Sequence, residues 1–281
     1  MVEGYDAADP ARASILALRD EWMNSGRSRQ ARIVGGYGAL IDFLTAECRK
    51  LGAVLHLSTA VSAIEASHGR ALVHCANGDR HAGDAAILTV PLPLLQQIIL
   101  PPAVREKAAA AANVGFGNVI KVLLRFKTRW WTGIKGKDLS DLLFLLSDKA
   151  IPVWWTQHPT EHPVLTGWLA GPGTKGLARV DESDLIETGL ASLGEIFGFS
   201  PKQLTRDIVA ARAINWAKDA FARGAYSYAT LETRAAQSTL TSSDGGAVLF
   251  SGEALNRGRD LGTVEAALAS GLETARIILK A

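Results

Sequence analysis

The chain has 281 residues, 48% of them apolar and 21% charged, with a formal net charge of +2. That length holds one large domain or two ordinary ones, the composition is that of a soluble globular protein, and so small a charge argues against a general nucleic-acid or anionic-membrane surface. Cys48 and Cys75 lack the spacing of a metal site and fit a reduced cytoplasmic setting; the opening MVEGYDAADP has no signal-peptide pattern, and no run of about 18 apolar residues occurs.

Residues 12–24 (RASILALRDEWMN) have helical spacing. Arg27, Arg29 and Arg32 follow, alternating with Ser, Gln and Ala, and read as a solvated loop rather than a binding patch. ALIDFLTAECRKLG (39–52) predicts a helix with Leu40, Ile41, Leu44, Cys48 and Leu51 on one stripe and Gly52 as its stop. AVLHLS (53–58) reads as a short strand, and VSAIEA (61–66) with ALVHCA (71–76) as a hairpin. DAAILTVP (84–91) is almost continuously apolar and predicts a buried strand; PLPLLQQIIL (91–100) begins a short helix. REKAAAAANV is helical, and NVIKVLLRF (118–126) is a strand. LLFLLS, PVWWTQ and VLTGWLAG resemble successive antiparallel strands. DESDLIETGLASLGEIFG (181–198) is a helix with Asp181 as N-cap and Gly198 as stop. DIVAARAINW (207–216) returns to strand, 247–251 is the last strand, and 262–280 the last helix. The outline is α/β at both ends around an α+β insert of about 140 residues.

A literal GxGxxG occurs at Gly171-Pro172-Gly173-Thr174-Lys175-Gly176. A dinucleotide fingerprint needs a helix that starts inside the glycine loop, so that free N–H groups meet the pyrophosphate. Here the next helix starts near Asp181 and Pro172 removes one N–H, so the stretch reads as a turn. The six histidines form no triad or ligand spacing, and GxSxG and the phosphate-loop lysine motif do not occur.

Five stretches together resemble the flavin-containing amine oxidases, the group of monoamine and polyamine oxidases, L-amino-acid oxidases and flavin-dependent histone demethylases. They are RIVGGYGALIDFLTAECRKLGAVLHLSTAVSAIE (32–65), AAILTVPLPLL (85–95), GFGNVIKVLLRFKTRWW (115–131), INWAKDAFARGAYSY (214–228) and LFSGEALNRGRDLGTVEAALASG (249–271). The resemblance is to the family's middle and C-terminal parts, without the N-terminal segment that carries GxGxxG. It implies an incomplete FAD-binding domain of Rossmann-like, glutathione-reductase type and a mixed-sheet substrate-binding domain. Residues 1–30 would be a helical part of the substrate domain, 31–100 and 241–281 parts of the FAD-binding domain, and 101–240 the substrate-binding domain.

The resemblance also implies site residues. Lys121 stands where the family has a lysine bonded through water to flavin N5; from its own pattern it is equally a strand lysine facing solvent. Trp216 and Tyr226 match aromatics that line the amine cavity, against the plainer reading of core packing. Ala225 occupies the position of the cysteine that carries flavin in monoamine oxidases, so FAD here is non-covalent. Gly252, Glu253, Gly262, Thr263 and Val264 match the segment around the flavin, or else form a tight strand–helix turn. Val61 matches a backbone contact to adenine, and Pro91 ends a strand near the cofactor. The implied reaction moves a hydride from an amine to flavin N5, followed by imine hydrolysis and reoxidation by dioxygen to peroxide. The implied partners are a small-molecule amine and either a separate N-terminal FAD-binding polypeptide or a second copy. A non-catalytic remnant and a flavin enzyme of the desaturase or protoporphyrinogen oxidase type stand as alternatives.

Overall fold

A computed structural model describes residues 2–24, 33–134, 136–242, 246–258 and 260–280. Arg27, Arg29 and Arg32 lie outside the described residues. The main body is a five-stranded sheet in the order Ile208–Asn215, Val119–Phe126, Val164–Ala170, Val153–Trp155, Phe144–Leu146, and every neighbouring pair is antiparallel. The alternation of the central strand decides the layers. Ile120, Val122, Leu124 and Phe126 point to one face and are fully buried against the helix Glu182–Phe197 through Leu185, Leu190, Leu193 and Phe197. Asp181 is the N-cap of that helix and Gly198, at φ 78°, ends it. Trp154 fills the centre of this core and donates its indole N–H to Ile151 O at 3.0 Å. Gly189 lets the helix approach the sheet, since a Cβ there would sit 2.9 Å from Val122 Cγ1 and 3.3 Å from the Trp154 ring. Gly189→Ala is therefore expected to cost about 1–3 kcal/mol of stability by overpacking; a denaturation midpoint equal to wild type would show that the helix can shift freely.

The second core lies under a three-stranded antiparallel sheet, Val61–Ser67, Arg70–Cys75 and Arg80–Gly83, and a parallel pair, Ala86–Leu88 with Val248–Phe250. Ile64, Leu88, Leu92, Leu95, Val248 and Phe250 are buried there. Pro91 caps a short 3-10 turn, Leu92–Gln96. The helix Val264–Lys280 is joined to the parallel pair by Ser270, whose hydroxyl accepts from the Gly252 N–H at 3.1 Å and lies 3.1 Å from Ser251 Oγ. No described helix is long and apolar enough to cross a membrane.

Two expectations fail. Residues 53–58 form no strand: His56 packs on the His81 ring, but no backbone ladder forms, and Val54 and Leu57 are 77% and 78% exposed. The 84–91 run is a strand only at Ala86–Leu88 and is not fully buried, with Ile87 44% exposed. The helix Tyr37–Lys50 forms as expected, yet carries no buried residue, and its stripe ends at Leu51, 89% exposed. Gly52 follows at φ 88° and stops it.

Candidate functional site

The odd-numbered face of the central strand carries the site. Lys121 pairs across the sheet with Trp168 on one side and Ile214 on the other. The Trp168 ring packs on Trp155 at 5.5 Å between centroids, and Lys121 Nζ lies 5.9 Å from the centre of the Trp155 ring. Burial among these rings holds the Lys121 ammonium below the ordinary lysine range.

The short helix Val2–Asp6, for which the sequence carries no signal, closes this face. Trp168 donates its indole N–H to Gly4 O at 2.7 Å, and Tyr226 donates its hydroxyl to Tyr5 O at 2.5 Å. Ala7 is buried with Val119 and Ala170, and Trp168, Ala225 and Tyr226 pack around them. Glycines make the approach possible: a Cβ on Gly117 would lie 2.4 Å from Ala7 O, and one on Gly171 3.0 Å from Ala8 O. Burial pushes the Tyr226 phenol well above its usual range, and the neighbouring Asp6, Tyr5 and Glu21 add to the shift, so Tyr226 stays a neutral donor. Burial also raises the Asp6 and Glu21 carboxyls.

Trp216 follows the strand Ile208–Asn215, whose Asn215 pairs with Ile120; Trp216 is 37% exposed at that strand end. Ala225 has no nucleophile to offer a flavin.

The C-terminal residues converge. The strand Val248–Phe250 ends in Ser251, whose N–H bonds Leu88 O at 2.9 Å. Gly252 follows at φ 139°, and the atom nearest to a Cβ there would be Thr89 O at 3.9 Å. Its backbone thus requires glycine and faces open space beside the Thr89–Pro91 turn. The Glu253 carboxylate accepts from the Ser227 N–H at 3.2 Å and from the Ser227 hydroxyl, and the nearby Gly262 N–H steadies its charge. Thr263 caps the last helix: its Oγ1 accepts from the Ala266 N–H at 3.1 Å and donates to Asp260 O at 2.6 Å. The first-turn N–H groups of Val264 and Glu265 have no intrahelical acceptor and form the positive end of the helix. A helix start of this kind can receive the electron-rich edge of a ring system. Val61 stands apart, at the start of its hairpin opposite Cys75. The literal GxGxxG forms a 3-10 turn, Gly171–Leu177, held by Gly171 N–H on Asn118 O and packed against Ala8, so it serves no phosphate. Among the described residues no three His, Cys, Asp or Glu are placed to hold a metal.

The sequence pattern missed Trp155, Trp168, Tyr5 and Ser227. Trp168 stands opposite Lys121 in the ladder, but that pairing depends on a register that the sequence pattern does not carry. Nothing in the first residues marks Tyr5.

Residues 1–279 match a family model described as flavin containing amine oxidoreductase. The human lysine-specific histone demethylase 2 is 27% identical over 230 residues, 79% of this chain and 27% of the relative. The human peroxisomal N(1)-acetyl-spermine/spermidine oxidase is 25% identical over 237 residues, 74% of this chain and 45% of the relative. Among solved structures, a putrescine oxidase bound to putrescine superposes with a TM-score of 0.70 at 20% identity, over 88% of this chain and 53% of that one. The chain thus spans about half the length of that solved structure or less of the curated relatives named here.

Proposed function

Because this chain belongs to the flavin-containing amine oxidoreductase family, whose cofactor is FAD, we propose that it supplies the amine-binding wall and the flavin-edge cradle of an FAD-dependent amine oxidase. The observation that carries the reading is the desolvated Lys121 beside Trp155 and Trp168, on the face where Ala7 and Tyr226 also pack. When bound, FAD supplies an acceptor for the hydride that leaves the carbon beside the amine nitrogen, water hydrolyses the imine, and dioxygen takes up the two electrons as hydrogen peroxide. The chain's own residues prepare the amine. The aromatic faces of Trp155, Trp168 and Tyr226 suit an amine in either protonation state. Lys121, kept short of solvent, holds water or an anionic atom in place and returns a proton there. Trp216 closes the rim. Gly252 admits close approach to the backbone, and the N–H groups at Val264 and Glu265 meet the side that gains negative charge.

Substrates follow from the relatives' chemistry: putrescine, an N-acetylated polyamine and a methylated lysine peptide are the probes to use. The reading includes a further polypeptide segment, continuous with this chain or separate, that completes the dinucleotide site. What favours it is the uncovered apolar surface: Leu51, Val54 and Leu57, the open parallel pair, and the stripe Val264, Leu268, Leu272 and Leu279 on the last helix. A parallel sheet is normally covered on both faces and extended at its edges. Without that segment the chain is expected to self-associate, and a monomeric elution at all concentrations would remove this part of the reading.

The test is the visible spectrum after FAD addition and desalting, followed by peroxide release with the three amines. A retained flavin band with amine-dependent peroxide supports the reading. A retained band with no peroxide from any amine points to another flavin reaction, and a colourless protein assigns this chain alone to a binding role.

A further inference from the structure

We infer that Glu253 is a positioning residue whose carboxylate sets the distance between Tyr226 and the start of the helix Val264–Lys280, so that the amine wall and the flavin-edge cradle move as one body. What is positioned rests on the function proposed above; the clamp itself does not. Two donors from Ser227 meet one carboxylate. The Ser227 N–H reaches Oε1 at 3.2 Å and the Ser227 hydroxyl reaches Oε2. The nearby Gly262 N–H also steadies its charge. Ser227 directly follows Tyr226, and Gly262 directly precedes the helix cap Thr263. The turn and the strand are in van der Waals contact as well. Gly262, at φ 83°, has no room for a side chain: a Cβ would lie 2.7 Å from Ser227 O and 3.2 Å from Tyr226 Cδ2. Glu253 itself grows from a fixed base, because Ser251 is bonded to Leu88 and Gly252 to Ser270.

No cation pairs with Glu253 among the described residues. Burial raises its carboxyl above the usual range, and the Ser227 and Gly262 donors draw it back. A buried carboxylate without a cation is costly, and a site that needed only its charge would have left it an open oxygen. Here both oxygens are occupied by the protein. The acceptor geometry is therefore what the fold uses, and an amide of the same shape can keep most of it: the glutamine oxygen accepts an N–H, and its NH2 donates to the Ser227 hydroxyl. An apolar replacement instead leaves the buried Ser227 N–H without this acceptor.

Hydrogen exchange of the chain without cofactor or amine tests this. Glu253→Ala is expected to speed exchange of the amides at 226–228 and 262–264 about tenfold or more, while amides of the strand Val119–Phe126 stay unchanged. Glu253→Gln is expected to stay within about threefold of wild type, the rescue that a shape-based role requires. Ser227→Ala, which removes one of the two bonds, opens the same two segments to a smaller extent and serves if Glu253→Ala does not fold. Unchanged exchange in Glu253→Ala and Ser227→Ala would overturn the inference. So would a Glu253→Gln chain as open as Glu253→Ala, because the charge would then be the essential property. Protected segments that open as expected, in a protein that gives no peroxide with any amine, would uphold the clamp and reject the reaction.

Discussion

Lys121→Met is expected to slow amine-dependent peroxide release by the flavin-loaded protein about 100-fold or more, the usual loss when a preorganised polar group is removed from a closed site. The same substitution is expected to leave the fold at least as stable as wild type at pH 7. The sign follows from the direction of the shift. Burial holds the Lys121 ammonium below the ordinary lysine value, so its contribution is favourable above the unfolded value and is lost as pH falls through the folded one. At neutral pH the buried charge is therefore a cost, and methionine, similar in length and apolar, removes it. Peroxide rate and denaturation midpoint, measured on the same preparation, check both halves. An unchanged rate would make Lys121 an ordinary strand lysine, and a large loss of stability would mean that its ammonium is paired in a way the Trp155 contact does not describe.

Gly117→Ala is the second large effect expected, on stability and on the site together. Its Cβ would fall 2.4 Å from Ala7 O, a backbone atom that cannot swing aside as a side-chain tip can. The segment Val2–Ala8 must then lift, and the hydrogen bonds from Trp168 to Gly4 and from Tyr226 to Tyr5 go with it. Overpacking of this kind costs about 1–3 kcal/mol and each lost hydrogen bond about 1 kcal/mol. The expected readouts are a lower denaturation midpoint, a red shift in tryptophan emission as Trp168 is wetted, and faster proteolysis near the N-terminus. Wild-type emission and proteolysis would show that the opening helix does not depend on the glycine.

The antiparallel body was legible in the sequence because each strand finds its partner within the chain. NVIKVLLRF, VLTGWLAG and DIVAARAINW carry strand-length apolar patterns bounded by turns, and they pair with one another. AVLHLS carries a similar pattern but no partner strand, and pattern says nothing about partners. Lys121, Tyr226 and the residues from Gly252 to Val264 became candidates through family likeness, and the structure sets Gly262 against Tyr226 and bonds Glu253 to Ser227. Trp155 and Trp168 were not, because their stacking is a matter of register between strands. Tyr5 and Asp6 were beyond reach, since a five-residue helix without periodicity looks like any chain end.

The docking of residues 2–8 has a consequence for how the protein is made. Tyr5 waits for Tyr226, 221 positions later, and Gly4 for Trp168, 164 positions later. At a synthesis rate of about 5–20 residues per second, that separation corresponds to roughly 10–40 s. Neither bond can form before its partner residue has been made, and the bond to Gly4 becomes available first. The face that carries Lys121 thus gains both of these contacts only after the strand Ile208–Asn215 at the sheet's edge has been made. A chain interrupted before Tyr226 would have residues 2–8 held to Trp168 through Gly4 but without the bond from Tyr226 to Tyr5.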